Sequence, residues 1–153
     1  MAVLYLLCGI QGSGKTTFAR NKKAELKAEI VSTDIIRSKY APIDEKEVFP
    51  RAYKETAEYL SKGINVIFDA TNITVGSRSN ARNKIRALLD IPFDTICVVV
   101  KANVEICKNR VAKRNNMQGE LFLPVDVVDN YHSRFEEPTL DEGFSQIITI
   151  INE

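Results

Sequence analysis

The chain has 153 residues, the length of one domain able to bury roughly 70% of the surface its unfolded form exposes. Its 21 Lys and Arg residues nearly cancel 20 Asp and Glu, and the formal charge of +1 excludes a generally basic surface for nucleic acid or membranes, so any basic site is local. Cys8, Cys97 and Cys107 show no metal-ligand spacing, and no run approaches the roughly 20 apolar residues of a membrane span, which together fit buried free thiols in a reducing cytoplasm.

The first apolar run, residues 3–8, lacks a positively charged lead and reads as a buried strand rather than a signal peptide. It runs directly into Gly9-Ile10-Gln11-Gly12-Ser13-Gly14-Lys15-Thr16, which fits G-x-x-x-x-G-K-[ST], and helical spacing follows over residues 15–27. Glycines at 9, 12 and 14 let backbone N–H groups turn toward phosphate oxygens, and the helix start adds partial positive charge. The pattern predicts phosphate contacts from Gly9, Gly12, Ser13, Gly14, Lys15, Thr16 and Thr17, with Lys15 on the β- and γ-phosphates of ATP and the Thr16 hydroxyl on Mg²⁺. The alternative is a glycine-rich strand-to-helix turn that carries Lys and Thr without a ligand.

A weaker strand over residues 29–32 leads to Ser32-Thr33-Asp34-Ile35-Ile36-Arg37. Asp34 there lies at the carboxyl edge of a parallel sheet, where a carboxylate can take the proton of an attacking hydroxyl. If a helix starts at Thr33, Arg37 lies one turn on and faces the same cleft, suited to a phosphate or carboxylate; otherwise Asp34 caps that helix and Arg37 is a surface residue. A loop at residues 41–44 precedes a helix over 47–61. The strand at 66–68 ends in Asp69-Ala70-Thr71-Asn72, placing Asp69 like a Walker-B acid that holds Mg²⁺, or closing the strand with an Asx-turn; Thr71 and Asn72 offer neutral donors to an acceptor.

Further helices span residues 77–89, 104–115 and 125–135, and further strands 96–100 and 147–151. In the 104–115 helix, Arg110 and Arg114 share a face at i, i+4, where like charges repel unless an anion such as triphosphate answers them. A solvated helix end is the alternative, and the one preferred for Lys108 and Lys113. The polar stretch at 115–123, with Gly119 and then Pro124, reads as a mobile lid. Strand and helix alternate throughout, which predicts one α/β domain over residues 1–153: a P-loop NTPase fold with a parallel sheet of about five strands, flanking helices and a small helical lid.

Gly9 to Thr16, Asp34-x-x-Arg37, Asp69-Ala-Thr-Asn72, Arg110-Val-Ala-Lys-Arg114, Pro124-Val-Asp-Val, Phe135-Glu-Glu-Pro138 and Glu142-Gly143-Phe144 together resemble the P-loop kinases of the polynucleotide 5'-hydroxyl kinase and zeta-toxin-like group. The pattern is closest to the kinase domain of phage polynucleotide kinases. The resemblance implies catalysis by Lys15, Asp34, Arg110 and Arg114, with Asp34 as general base for a 5'-hydroxyl and the two arginines in the lid over the ATP phosphates. It also implies Arg37 on the phosphate 3' to the acceptor nucleoside, Thr71 assisting, and Leu123 against the acceptor base. The phosphatase domain of the phage repair enzyme is absent from these 153 residues, implying kinase activity without 3'-end processing, and the lid sequence is its own. Three readings follow: a polynucleotide 5'-hydroxyl kinase, a kinase of a small acceptor such as a nucleoside, nucleotide sugar or other metabolite, and a low-turnover ATP-gated nucleic-acid-binding switch. Asp34 argues against the switch, which needs no hydroxyl-activating base.

Overall fold

The five apolar runs assemble as β1 (Val3–Cys8), β2 (Ala28–Ser32), β3 (Asn65–Asp69), β4 (Asp94–Lys101) and β5 (Gln146–Ile151) in a computed structural model that describes residues 1–117 and 122–152. All pairings are parallel and the order is β2-β3-β1-β4-β5. Successive side chains of a strand point to opposite faces, and here both faces are covered. Leu4, Leu6, Val66, Phe68, Cys97 and Val99 pack on one side with Val48, Ala52, Leu60, Ala81 and Ile85, while Leu7, Ile67, Val98 and Val100 pack on the other with Ala19. Such two-sided burial is why β1, β3 and β4 read as unbroken apolar runs rather than alternating ones. The edge strand β5 departs from that expectation, because Gln146, Thr149 and Ile151 are exposed.

The helices are α1 (Lys15–Lys22), α2 (Thr33–Lys39), α3 (Glu45–Ser61), α4 (Val75–Ala87), α5 (Val104–Asn115) and α6 (Asp126–Arg134). Helix α1 ends at Lys22 rather than at the predicted residue 27; turns carry the chain on to Lys27, whose φ of 51°, in the left-handed region, leads it into β2. Helix α2 forms because the Ser32 hydroxyl accepts from Ile35 N–H at 3.3 Å, so Ser32 rather than Asp34 is the cap. Helix α4 starts two residues earlier than its periodicity suggests, through a capping box between Thr74 and Ser77. Pro124 precedes α6, and its carbonyl accepts from Val127 N–H at 3.1 Å. Among the described residues no helix is long and apolar enough to cross a membrane.

The register that pairs Ser32 with Asp69 brings the carboxyl ends of β2 and β3 level, beside the end of β1. The chain leaves β1 toward β2 and later crosses to β4 on the other side, so the crevice where ligands bind in open parallel sheets opens at these ends. One buried charge braces it. Arg78 of α4 has no exposed surface; its Nε and Nη2 donate to Glu142 at 2.9 and 3.1 Å, and its Nη1 donates to the Asn72 carbonyl at 2.9 Å. That guanidinium ties α4, the loop after β3 and the 3-10 turn Leu140–Glu142 into one unit.

Candidate functional site

Gly9 to Thr16 wrap the end of β1 and open α1, with Gly14 as N-cap at φ 107°. The loop is packed too closely from behind for side chains at its glycines. A Cβ on Gly9 would lie 2.4 Å from the Val100 carbonyl oxygen, one on Gly12 2.5 Å from that of Cys107, and one on Gly14 2.3 Å from Asn152 Nδ2. Asn152 also donates to the Ser13 carbonyl at 3.1 Å, bracing the loop from the end of β5. Inside the loop Lys15 is buried and donates one proton to the Ile10 carbonyl at 2.9 Å. The buried Ser13 Oγ and Gln11 Oε1 have no partner among the described residues. A loop with an unpartnered hydroxyl donor and no room for side chains at its glycines suits phosphate oxygens better than solvent.

The Thr16 hydroxyl donates to Asp69 Oδ2 at 3.0 Å across the ends of β1 and β3. This is the pairing expected of a hydroxyl and an acid that share Mg²⁺, and it assigns the Asp69 carboxylate to Thr16 rather than to an Asx-turn. Two hard oxygen donors fit Mg²⁺, which takes one or two protein ligands and completes its shell with water and phosphate. Burial raises the Asp69 carboxyl above the usual carboxylate range, opposed by Lys15 and the Thr16 hydroxyl. Burial lowers the Lys15 ammonium, opposed by Asp69 and Asp34. Asp34 and Arg114 add smaller electrostatic effects on both groups, and the pairing of Ser32 with Asp69 sets the start of α2 beside the end of β3.

Asp34 is exposed in the first turn of α2 and accepts from Arg37 Nη1 at 2.7 Å. The other side of the same guanidinium grips Glu45 at the start of α3, with Nη2 at 2.7 Å and Nε at 3.1 and 3.2 Å from its carboxylate oxygens. Arg37 therefore faces the Asp34 cleft, as its spacing predicts, but its fork is held by a carboxylate that sequence reasoning did not include. Glu45 gave no signal beyond its place in a helix start. The Arg37 hydrogen bond holds the Glu45 carboxyl below its usual range.

Arg110 Nη1 donates to the Gly12 carbonyl at 3.0 Å, so α5 is fastened to the phosphate loop by the residue predicted to face it. Thr71 stands beside the loop, its carbonyl accepting from Gly9 N–H at 2.8 Å. Two expectations are corrected. Asn72 is buried with a φ of 45°, and its amide donates to the Leu7 carbonyl at 2.9 Å, so its donors brace β1 instead of pointing at an acceptor. Leu123 is half-buried and packs against the cluster of Ile10, Ile73, Val111 and Val128, so its side chain serves the core beside α5 and α6 rather than standing free for an acceptor base. Its backbone is clasped by Asn115, whose Nδ2 donates to the Leu123 carbonyl at 2.7 Å and whose Oδ1 accepts from Leu123 N–H at 2.8 Å. The clasp closes the base of the predicted lid, whose centre, residues 118–121, lies outside the described residues. Arg78 was also missed, though a charge sharing the α4 stripe with Ala81 and Ile85 is a legible sign of a buried ion pair.

Residues 4–138 match the family described as an AAA domain. A bifunctional polynucleotide phosphatase/kinase of Schizosaccharomyces pombe is 27% identical over 144 residues, 94% of this chain and 32% of that protein, so the chain spans about a third of its relative's length. A chain of the Pnkp1/Rnl/Hen1 RNA repair complex superposes with a TM-score of 0.69 and 27% identity, over 87% of this chain and 43% of that one. Kti12 of Chaetomium thermophilum, solved with ADP-AlF3, superposes with a TM-score of 0.70 and 22% identity, over 97% of this chain and 88% of that one.

Proposed function

Since the chain belongs to this AAA-domain family of P-loop kinases, we propose that it transfers the γ-phosphoryl group of ATP to a hydroxyl, and that the acceptor is the 5'-hydroxyl of a polynucleotide. One observation carries the reading: the register that pairs Ser32 with Asp69 sets the first turn of α2, and with it Asp34, beside the acid that Thr16 of the phosphate loop holds. A nucleotide-gated switch needs the loop, the lysine and the metal acid; it has no use for a second, exposed carboxylate at the same sheet edge. The relatives named for polynucleotide phosphatase/kinase and RNA repair support the acceptor class.

In this reading the loop N–H groups and Lys15 hold the β- and γ-phosphates, while Asp34 orients the acceptor hydroxyl in line with the γ-phosphorus. As the new P–O bond forms and the β–γ bridging P–O bond breaks, the hydroxyl proton passes to the Asp34 carboxylate and ADP leaves. Thr16 and Asp69 would hold Mg²⁺, which when bound would supply charge neutralisation on the donor phosphates. Arg110 and Arg114 answer the charge spread over the transferring group, Arg110 through its grip on the loop at Gly12. Arg37 keeps Asp34 aimed, and meets an acceptor phosphate once that phosphate displaces Glu45.

A second reading, a small acceptor without a phosphate, is favoured by Glu45, which already fills the Arg37 fork. The test incubates γ-labelled ATP with 5'-hydroxyl oligonucleotides, 3'-nucleotides, nucleosides and sugars. Label on 5'-hydroxyl ends, lost in Asp34→Asn with Mg²⁺-ATP binding retained, supports the polynucleotide reading. Label confined to nucleosides or sugars replaces it with the second.

A further inference from the structure

Beside Thr71, and leading away from the phosphate loop, a cleft of about 420 Å³ opens between α3 and α4. Phe49, Pro50 and Tyr53 line one wall at i, i+1 and i+4, and Asn80 and Lys84 line the other at i and i+4, so each helix turns one face into it. The aromatic wall is rigid. Tyr53 is buried and stacks on Phe68 with ring centroids 5.9 Å apart, its hydroxyl accepts from Asn80 Nδ2 at 3.4 Å, and the half-buried Phe49 ring leans on it at 6.0 Å. Facing this wall, the Asn80 carbonyl oxygen has no hydrogen-bond partner and Lys84 no ion pair among the described residues. Helix α4 carries Arg78, Arg82, Lys84 and Arg86 with no acidic residue, a local concentration of positive charge in a chain whose net charge is +1. Arg78 is neutralised by Glu142, and Arg82 is buried with its guanidinium 4.4 Å from the Phe144 ring centroid, which leaves Lys84 as the exposed cation on the cleft side.

We propose that this cleft is a subsite for the second nucleotide of a single-stranded acceptor, the base resting on Phe49 and Pro50, its edge meeting Asn80, and the following phosphate meeting Lys84. The inference rests on the polynucleotide reading and adds a path to it. A strand whose 5' end sits between Asp34 and the phosphate loop passes Thr71, whose carbonyl is bound to Gly9, and leaves between α3 and α4. A flat apolar wall, an amide and one terminal cation match the three parts of a nucleotide, and stacking on an aromatic wall requires a base free of its neighbours, which a single strand offers and a duplex does not. The volume lies at the small end of ligand sites, enough for one nucleotide rather than a helix end.

The experiment measures kcat/KM of the full chain for a 3'-mononucleotide, for 5'-hydroxyl di- and tetranucleotides, and for a tetranucleotide abasic at the second position. The expected result is a gain on the order of 10- to 100-fold from mononucleotide to dinucleotide, as stacking of one base supplies. That gain disappears with the abasic acceptor and with Phe49→Ala, while the mononucleotide rate is unchanged. Lys84→Gln, an exposed position with no structural partner, keeps the fold intact if Phe49→Ala does not. It should flatten the dependence of log kcat/KM on log salt for the tetranucleotide by about 0.7, one phosphate contact on a single strand. Equal rates for mononucleotide and oligonucleotides, or a gain that survives both substitutions, overturns the subsite and leaves the kinase reading standing. Label on no nucleic acid while another hydroxyl is phosphorylated overturns the polynucleotide reading itself.

Discussion

Replacing Arg78 with leucine tests whether the crevice is held by one buried charge pair. The substitution leaves Glu142, whose side chain is 7% exposed, without its two guanidinium hydrogen bonds, and leaves the Asn72 carbonyl without a donor. Removing one partner of a buried pair costs about 3–5 kcal/mol, because the surviving charge stays desolvated and unanswered. For a chain of this size each kcal/mol moves Tm by roughly 2–4 °C, so the midpoint should fall by about 6–20 °C. Arg78→Leu/Glu142→Leu removes both charges, leaves the Asn72 carbonyl unpaired and returns the exposed Thr139 N–H to water, a cost of about 1–3 kcal/mol, less than the sum of the two single substitutions. Urea unfolding followed by far-UV circular dichroism measures the cycle, since the chain has no tryptophan. The pair also has a pH signature. Burial, the largest single influence, works to raise the Glu142 carboxyl, but the Arg78 hydrogen bonds, the Thr139 N–H and the charges of Arg78 and Arg82 together hold it below its ordinary value. A depressed carboxyl contributes stability above the unfolded-state pKa of about 4.3, lost as pH falls through the lower folded value. The parent protein should therefore lose more stability than the double variant between roughly pH 5 and 3. A loss below about 1 kcal/mol in Arg78→Leu, or single-site losses that simply add, would refute the reasoning.

Asp69→Asn should abolish Mg²⁺-dependent nucleotide binding, measured by calorimetry with Mg²⁺-ADP, while Tm stays level or rises, because burial disfavours the charge that is removed. A drop in Tm together with normal Mg²⁺ dependence would return Asp69 to a structural role. Arg110→Ala and Arg114→Ala should each lower kcat by on the order of 10³-fold, and Arg110→Ala should also raise KM for ATP because Gly12 loses its anchor. Changes of only a few-fold in steady-state kinetics would instead mark both as solvated cations. Glu45→Gln should loosen the Arg37 fork and lower KM for a 3'-phosphorylated acceptor by about 2- to 5-fold, a modest effect because the contact is partly solvated. An unchanged KM ratio between 3'-nucleotide and nucleoside would show that Arg37 does not meet the acceptor phosphate.

Two kinds of information were local enough to be read from the chain alone. The phosphate loop is a run of consecutive residues whose backbone makes the site, so Gly9 to Thr16 specify it without reference to the rest of the molecule. Strands buried on both faces have to be apolar throughout, and β1, β3 and β4 were therefore visible as runs, as was the Lys15, Thr16 and Asp69 constellation at the strand ends that register then aligned. A turn made by one backbone dihedral, at Lys27, and a helix start set by one capping hydroxyl, at Ser32, lie below the resolution of periodicity. The partners of charged side chains were decided only by tertiary structure. Arg37 could be placed on the cleft by its spacing from Asp34, but its second partner arrives with the next helix, and Glu142 stands 64 residues from Arg78. Asn72 and Leu123 were assigned outward roles and turned inward for the same reason. A side chain's type states what it can bond; which group it meets depends on the elements that pack beside it, and that choice exists only once the sheet and its helices have come together.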